Sequence, residues 1–338
     1  MSNLFFNLSV NEQVSLVQQA EGVLGLSETV IEKDLWVCWL LGEVFALPIP
    51  MSFKGGTSLS KSYSLIKRFS EDCDITIDYR HFQPEIDLQN ISRSQLKKLS
   101  ESLKSKLQEY VNTSLLPYLK ERVQKNFPDK LFEITLSENG EQIRFYYPSV
   151  LDSSKDYLRD HVLLEFGIRN SVEPSEMCSI SPYLASIESA SYLFQPIKIN
   201  TLSPIRTFWE KATLIHVECH RERFIDSPER LSRHWYDLYL LSMSWVGEKA
   251  LEKTDILYSV LDYKRAFFNA SYANYDECTN GNFTLVPNQE NLSRLEKDYR
   301  KMIEAGMFQD QPPKFSTMLE KLKELEKEIN LKLTARDS

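Results

Sequence analysis

The chain has 338 residues, 42% of them hydrophobic, which is enough to fill more than one core, and two domains are expected. Its five cysteines (Cys38, Cys73, Cys178, Cys219, Cys278) are scattered and never form a C-x-x-C pair, which excludes a disulfide framework and a zinc finger. The start MSNLFFNLSVNEQ lacks a signal-peptide pattern, no uncharged apolar run reaches the roughly 18 residues of a membrane span, and a net charge of −8 disfavours simple coating of nucleic acid; a soluble cytoplasmic protein is expected.

Val10 to Leu24 and Glu28 to Leu47 carry apolar residues at helical spacing, and Pro48 and Pro50 end the second stretch. Met51-Ser52-Phe53 then leads into the pair Gly55-Gly56, a short helical stretch through Ile66, and an alternating run from Asp72 to Tyr79 that reads as a strand. From Ile91 to Asn126, eight basic residues stand against three acidic ones, a local charge of +5 within an acidic chain. A solvated helix face explains that charge as well as a nucleic-acid contact does. Leu131 to Leu136, Gln142 to Tyr147 and His161 to Arg169 read as three further strands, with Glu138-Asn139-Gly140 as a hairpin turn. Ser203-Pro204 suits an N-cap with proline at the first helical position, and helical segments follow to the end, so a boundary falls near residue 200.

Residues two apart on a strand share a face, so Asp72 and Asp74 project together while Cys73, Ile75 and Ile77 face the other way. Adjacent carboxylates repel unless a cation sits between them, and Mg²⁺ or Mn²⁺ takes a few carboxylates completed by water and phosphate oxygens. In the run from His161 to Arg169, Val162, Leu164, Phe166 and Ile168 form the apolar face; Glu165 is left on the other as a candidate third metal carboxylate. Taken alone, the aspartates also fit an exposed polar sheet face. The glycine pair upstream changes that balance. After a strand and before a helix, Gly55 and Gly56 let backbone N–H groups approach a phosphate, with the Thr57 and Ser58 hydroxyls nearby. Gly55 to Ser62 also approximates a P-loop, but Ser60 stands where its second glycine belongs.

FKGGTSLSK (Phe53 to Lys61) followed by RFSEDCDI (Arg68 to Ile75) resembles the signature of the AbiEii/AbiGii-type nucleotidyltransferase toxins, within the DNA polymerase β-like nucleotidyltransferase superfamily. The resemblance extends to Glu32-Lys33-Asp34, to TLSPIRTFWEKAT (Thr201 to Thr213), to SRHWYDLY (Ser232 to Tyr239) and to LVPNQENLSRLEKDYRKM (Leu285 to Met302). It implies an α+β fold. A polymerase β-like domain with a mixed or antiparallel sheet flanked by helices would occupy residues 1–200, with a basic helical insertion at about 91–126. A helical domain at 201–338 would contribute Lys211 and Asp237 to the site. Gly55, Gly56 and Thr57 would hold the nucleotide phosphates, Asp72 and Asp74 would bind the metals, Lys211 would contact the triphosphate, and Asp237 would be the essential acid of the last motif.

The residues give supporting and competing readings. Lys211 lies on an expected helix as a point charge suited to phosphate. Arg233 and Asp237 are four apart, so a helical ion pair is the plain alternative to a catalytic role. Ser58, Lys61, Arg68, Arg233 and Tyr236 are further nucleotide-binding candidates, and Lys61 and Arg68 could equally be surface charges. His216 and His220 share a helical face but lack the glutamate of a zinc-protease motif. A phosphate on Ser70, two residues before Asp72, would add negative charge beside the carboxylates and block the site.

The expected function is metal-dependent transfer of a nucleotide from an NTP to an acceptor hydroxyl. The resemblance points to RNA, the 3′ end of a tRNA, as acceptor and to the toxin of a toxin–antitoxin or phage-defence pair, with a cognate antitoxin as partner. Transfer to a protein or small-molecule hydroxyl is the second reading, because the same metal site serves any hydroxyl. A non-catalytic nucleotide- or RNA-binding regulator is the third.

Overall fold

Helix α1 (Val10–Leu24) starts on a capping box in which the Ser9 side chain and the Glu12 carboxylate each accept from the other's backbone N–H, and it stops at Gly25, whose φ is 67°. Helix α2 (Glu28–Val44) is capped by the Ser27 hydroxyl and ends three residues short of the sequence expectation, ahead of Pro48. A computed structural model describes residues 4–70, 72–84, 86, 91–151, 160–222, 224 and 230–335. It divides into two compact units: Met1–Ser64, Phe69–Asn90 and Lys97–Leu202 in the first, and Leu65–Arg68, Ile91–Leu96 and Ser203–Ser338 in the second.

The first unit is built on a seven-stranded mixed sheet of strands β1 (Met51–Lys54), β2 (Asp72–Ile77), β3 (Glu133–Leu136), β4 (Gln142–Tyr146), β5 (Val162–Gly167), β6 (Ser175–Ile180) and β7 (Ile197–Leu202). Their order is β3-β4-β5-β2-β1-β7-β6. β2 is central, antiparallel to β1 and parallel to β5. Its Cys73, Ile75 and Ile77 are buried as the alternation requires, but Asp72 and Thr76 on the other face are buried too. The polar face is therefore largely covered, with Asp74 half-buried on it. α2 packs its aromatic residues into the core: Trp36 and Trp39 meet Phe127 and Phe145 at ring distances of 5.2–6.1 Å. Large aromatic side chains of this kind dominate core energetics.

β6 and β7 were not expected from the sequence. β6 is an edge strand, half-exposed along much of its length, so no alternation marks it. Helix α3 (Gly55–Lys61) also stops earlier than the expected Ile66, because Ser64 takes a left-handed φ of 53° that a helix does not allow.

The basic segment forms helix α4 (Arg93–Tyr110), a π-helical turn (Val111–Leu115) and helix α5 (Leu116–Asn126). Leu99, Leu103, Leu107, Val111, Leu115, Leu119 and Val123 make its buried stripe. A spacing of four outruns the 3.6-residue turn, and the wider π turn takes up part of that drift.

In the second unit, helix α6 (Pro204–Cys219) packs on α7 (Ser232–Ser242), α8 (Trp245–Glu252) and α9 (Thr254–Phe267), and α7 packs also on α10 (Gln289–Glu304) and α11 (Phe315–Thr334). Ser203 caps α6 with Pro204 at its first position, as read from the sequence. α7 has no capping side chain at its own N-cap; Asp298 of α10 supplies the cap, accepting from Ser232 N at 2.7 Å and Ser232 Oγ at 2.6 Å. Among the described residues no helix is long and apolar enough to cross a membrane.

Candidate active site

Gly55 begins α3 with a φ of 78°, a left-handed conformation that favours glycine. A Cβ there would collide with the Asp74 carboxylate, which lies against the glycine Cα. The cause is register: Lys54, the last residue of β1, stands opposite Asp74 on β2, so the turn into α3 folds directly over that aspartate. Glycine turn and aspartate pair, separate features in the sequence, are one feature in space.

The Thr57 hydroxyl is buried and lies 2.5 Å from the carbonyl oxygen of Asp72 and 3.2 Å from that of Ser70, so it braces the start of β2 from α3. Ser58, also buried, donates back to Gly55 O at 2.9 Å. Both hydroxyls, expected beside a phosphate, hold backbone here. Ser70 is itself buried, so a phosphate could reach it only if the start of β2 opened.

Lys61 takes a different place from the one expected. Its side chain is 3% exposed, with Nζ 2.7 Å from Asp34 Oδ1 and 3.8 Å from the Tyr183 ring centre. Burial would lower its pKa, but the Asp34 carboxylate beside it outweighs this and holds it above the usual value. The ammonium is thus committed to tying α3 to α2, and a triphosphate would have to break that pair. Asp34 also accepts from Tyr183 N at 2.6 Å, while Glu32 accepts from Ser149 Oγ and Val150 N. The charged Glu32-Lys33-Asp34 run is buried as a brace for the loops around the sheet.

Glu165 stands beside Asp74 in the parallel register of β5 and β2 and accepts a hydrogen bond from the Gln142 amide. Both acids line a cleft of about 230 Å³ together with Lys54, Glu141, Gln142 and Asn170. Among the described residues no three His, Cys, Asp or Glu side chains are gathered closely enough to cage a metal, so Asp72, Asp74 and Glu165 do not form a prebuilt three-carboxylate cage.

In the second unit, Asp237 is fully buried and engages two cations. Arg68 Nε and Nη2 donate to its two carboxylate oxygens at 2.7 and 2.8 Å, and Lys211 Nζ lies 2.9 Å from Oδ2. Burial alone would raise the Asp237 pKa; the Arg68 and Lys211 charges outweigh it and hold the carboxyl well below its usual range. Lys211 is drawn below its usual value, first by burial and also by Arg68, with Asp237 opposing. His234 is held well below its usual value, first by burial and then by the Lys211 and Arg233 charges, with Asp237 opposing.

The helical ion pair with Arg233, the plain alternative for Asp237, is not what the carboxylate makes; its oxygens go to Arg68 and Lys211, and Arg233 is half-buried. Arg68 is no surface charge. Tyr236, a candidate for base stacking, is buried edge-on against Phe308 at 4.9 Å.

A family model for the nucleotidyl transferase AbiEii toxin of Type IV toxin–antitoxin systems matches residues 39–321. The chain belongs to this family. As an AbiEii toxin it is a nucleotidyltransferase. The matched stretch takes in Gly55, Gly56, Asp72, Asp74, Glu165, Lys211 and Asp237 and starts after Glu32-Lys33-Asp34. Two solved structures are similar to it along nearly their whole length. One is MenT4, nucleotidyltransferase toxin Rv2826c from Mycobacterium tuberculosis H37Rv, at 14% identity and a TM-score of 0.45, covering 97% of this chain and 99% of that one. The other is JHP933 from Helicobacter pylori, at 16% identity and a TM-score of 0.45, covering 92% and 96%. Among curated proteins none matches significantly.

In this AbiEii toxin the His216 and His220 pair is structural. His216 Nδ1 accepts from Thr284 N at 3.0 Å, which leaves Nε2 to donate to Asn274 O at 3.1 Å. Both ring nitrogens are occupied by backbone. Asn170 and Gln142, which also line the carboxylate cleft, lie in no motif and were missed; the register of β4, β5 and the turn after it brings them there.

Proposed function

We propose that this toxin transfers a nucleotide from an NTP to the 3′-terminal hydroxyl of an RNA, a tRNA being the expected acceptor, in a reaction that needs Mg²⁺ or Mn²⁺ and that a cognate antitoxin restrains. The observation that carries this reading is the packing of the Asp74 carboxylate against the left-handed Gly55 turn, which joins a phosphate-approachable backbone to a metal-binding side chain.

The donor chemistry fits a hard divalent cation. Asp72 and Asp74 supply two carboxylates, Glu165 is a third beside Asp74, and a cation of this type is completed by water and substrate phosphate oxygens rather than by an all-protein cage. When bound, it supplies Lewis-acid stabilisation of the charge that develops on the phosphoryl oxygens. The chain's own residues do the rest. Gly55 and Gly56 allow close approach of phosphate, with Thr57 and Ser58 fixing the turn. Lys211 is the cation for the triphosphate. Asp237 is a positioning residue that holds Lys211 and Arg68. In-line attack by the acceptor hydroxyl on the α-phosphate forms the new phosphodiester and breaks the bond to pyrophosphate, the hydroxyl proton passing to a carboxylate of the site.

The basic helices favour a polynucleotide acceptor. Lys97, Lys98, Lys120 and Lys125 are exposed, whereas Arg122 is bound to Glu43. Incubation of the purified protein with each labelled NTP, Mg²⁺ and total tRNA, beside an Asp72→Ala control, tests the reading. Label should appear on RNA with at least one NTP and vanish in the control; no label on RNA from any NTP would sink the acceptor assignment.

A further inference from the structure

The face of β2 that carries Asp74 continues to Thr76, and the neighbouring strand β5 continues from Glu165 to Gly167, so the register sets Asp74 beside Glu165 and Thr76 beside Gly167. The missing side chain at Gly167 opens the floor of the cleft. A Cβ on Gly167 would stand 3.5 Å from Asn170 Nδ2 and 3.9 Å from Thr76 Oγ1. Thr76 is 1% exposed, and its hydroxyl has no hydrogen-bond partner. A buried hydroxyl in that state is destabilising until a ligand or water satisfies it. The Gln142 and Asn170 amides, the Glu141 and Glu165 carboxylates and Lys54 line the same cleft.

The Glu141 carboxylate, outside the proposed metal-binding set, accepts well from sugar hydroxyls, and the Gln142 and Asn170 amides can donate to them. At about 230 Å³ the cleft is smaller than the roughly 300–1,000 Å³ of a typical small-molecule pocket and suits one sugar rather than a whole nucleotide. α4 runs beside it. Gln108 Nε2 donates to Asn139 O at 2.7 Å, Gly140 at the hairpin tip lies against Gln108, and Lys104 Nζ is 3.9 Å from Glu141 Oε1. The hairpin that borders the cleft is thus docked on the basic helix, and a phosphate backbone following Lys97 and Lys98 would be led toward it.

We propose that the cleft over Thr76 and Gly167 receives the ribose at the end of the RNA acceptor and reads its 2′-hydroxyl. This rests on nucleotidyl transfer to RNA. The 2′-hydroxyl is both donor and acceptor and is the group that distinguishes an RNA end from a DNA end.

The test uses two fluorescent RNA oligonucleotides identical except for a terminal ribose or 2′-deoxyribose. Binding is measured by anisotropy with chelator and without NTP, and KM is measured for each acceptor and for the NTP. Two variants fill or silence the cleft without strain. Gly167→Ala meets only ordinary contact distances, and Thr76→Val removes a hydroxyl that has no partner. The wild type should bind the ribose-ended RNA at least tenfold more tightly. Both variants should erase that preference with the NTP KM unchanged and with Tm no lower than that of the wild type, since Thr76→Val removes an unsatisfied buried hydroxyl. Equal binding of both RNAs by the wild type would overturn the assignment, as would variants that keep the preference or that raise the NTP KM instead. A preserved binding preference without transfer from any NTP would support the cleft assignment and count against nucleotidyl transfer to RNA.

Discussion

Gly55 and Asp237 show how a single side chain, or its absence, sets the chemistry. At Gly55 an alanine would pay for a left-handed φ and push on the Asp74 carboxylate, so Gly55→Ala should lose about 1–3 kcal/mol of stability and most of the transfer activity, checked by urea unfolding and turnover. Asp237→Asn should behave differently from Asp74→Asn. Removing the charge of a buried carboxylate that holds two cations should cost about 3–5 kcal/mol as well as activity, whereas Asp74→Asn, at a half-buried position in a cleft, should lose activity with Tm within a few degrees of wild type. Equal Tm losses in the two variants would reject the positioning role of Asp237. The sequence displayed these charges but not their partners. Lys61 and Arg68 look alike as lysine and arginine near a glycine motif, yet Lys61 goes to Asp34, 27 positions away, and Arg68 to Asp237, 169 positions away.

Elements were legible where a local pattern exists and missed where it does not. The serine caps, the helical apolar spacing of α1 and α2 and the alternation in β2 all act within a few residues. β6 and β7 lack such marks, since one is a polar edge and they owe their conformation to pairing with each other and, for β7, with β1. The start of α7 was equally hidden, because its cap comes from Asp298 on α10. For α4, the apolar stripe was readable as a packing face, and the charge on its other side carries a prediction. Lys97→Glu with Lys98→Glu should leave stability unchanged, since both are exposed, and should weaken RNA binding. If each lysine meets one phosphate, the slope of log affinity against log salt should flatten by about 1.4. An unchanged slope in a salt titration would remove α4 from the RNA path.

At the scale of the whole molecule, pH stability follows from groups that must stay uncharged when folded. His216 is held at a pKa of about 4 by burial and by His220, against an ordinary 6.5. Between those values the unfolded chain binds the proton and the folded chain does not, so this contribution is complete above about pH 6.5 and is lost as pH falls toward 4, by on the order of 3 kcal/mol. Urea unfolding from pH 7.5 to 4 should show wild-type stability falling more steeply than that of His216→Gln; parallel curves would reject it. The sequence by itself determined the α+β class, the glycine and aspartate motifs and the family, because each is written in spacings of a few residues or in a motif. Only the tertiary structure decided which charges meet, that Lys61 is a buried brace, that Asp237 is held by Arg68 and Lys211, and that Gly167 opens a cleft over Thr76. Those facts depend on strand register and long-range packing, where one residue of slip changes every neighbour. The Gly55 turn over Asp74 needed both: the motif supplied the residues, and the antiparallel pairing of Lys54 with Asp74 brought them together.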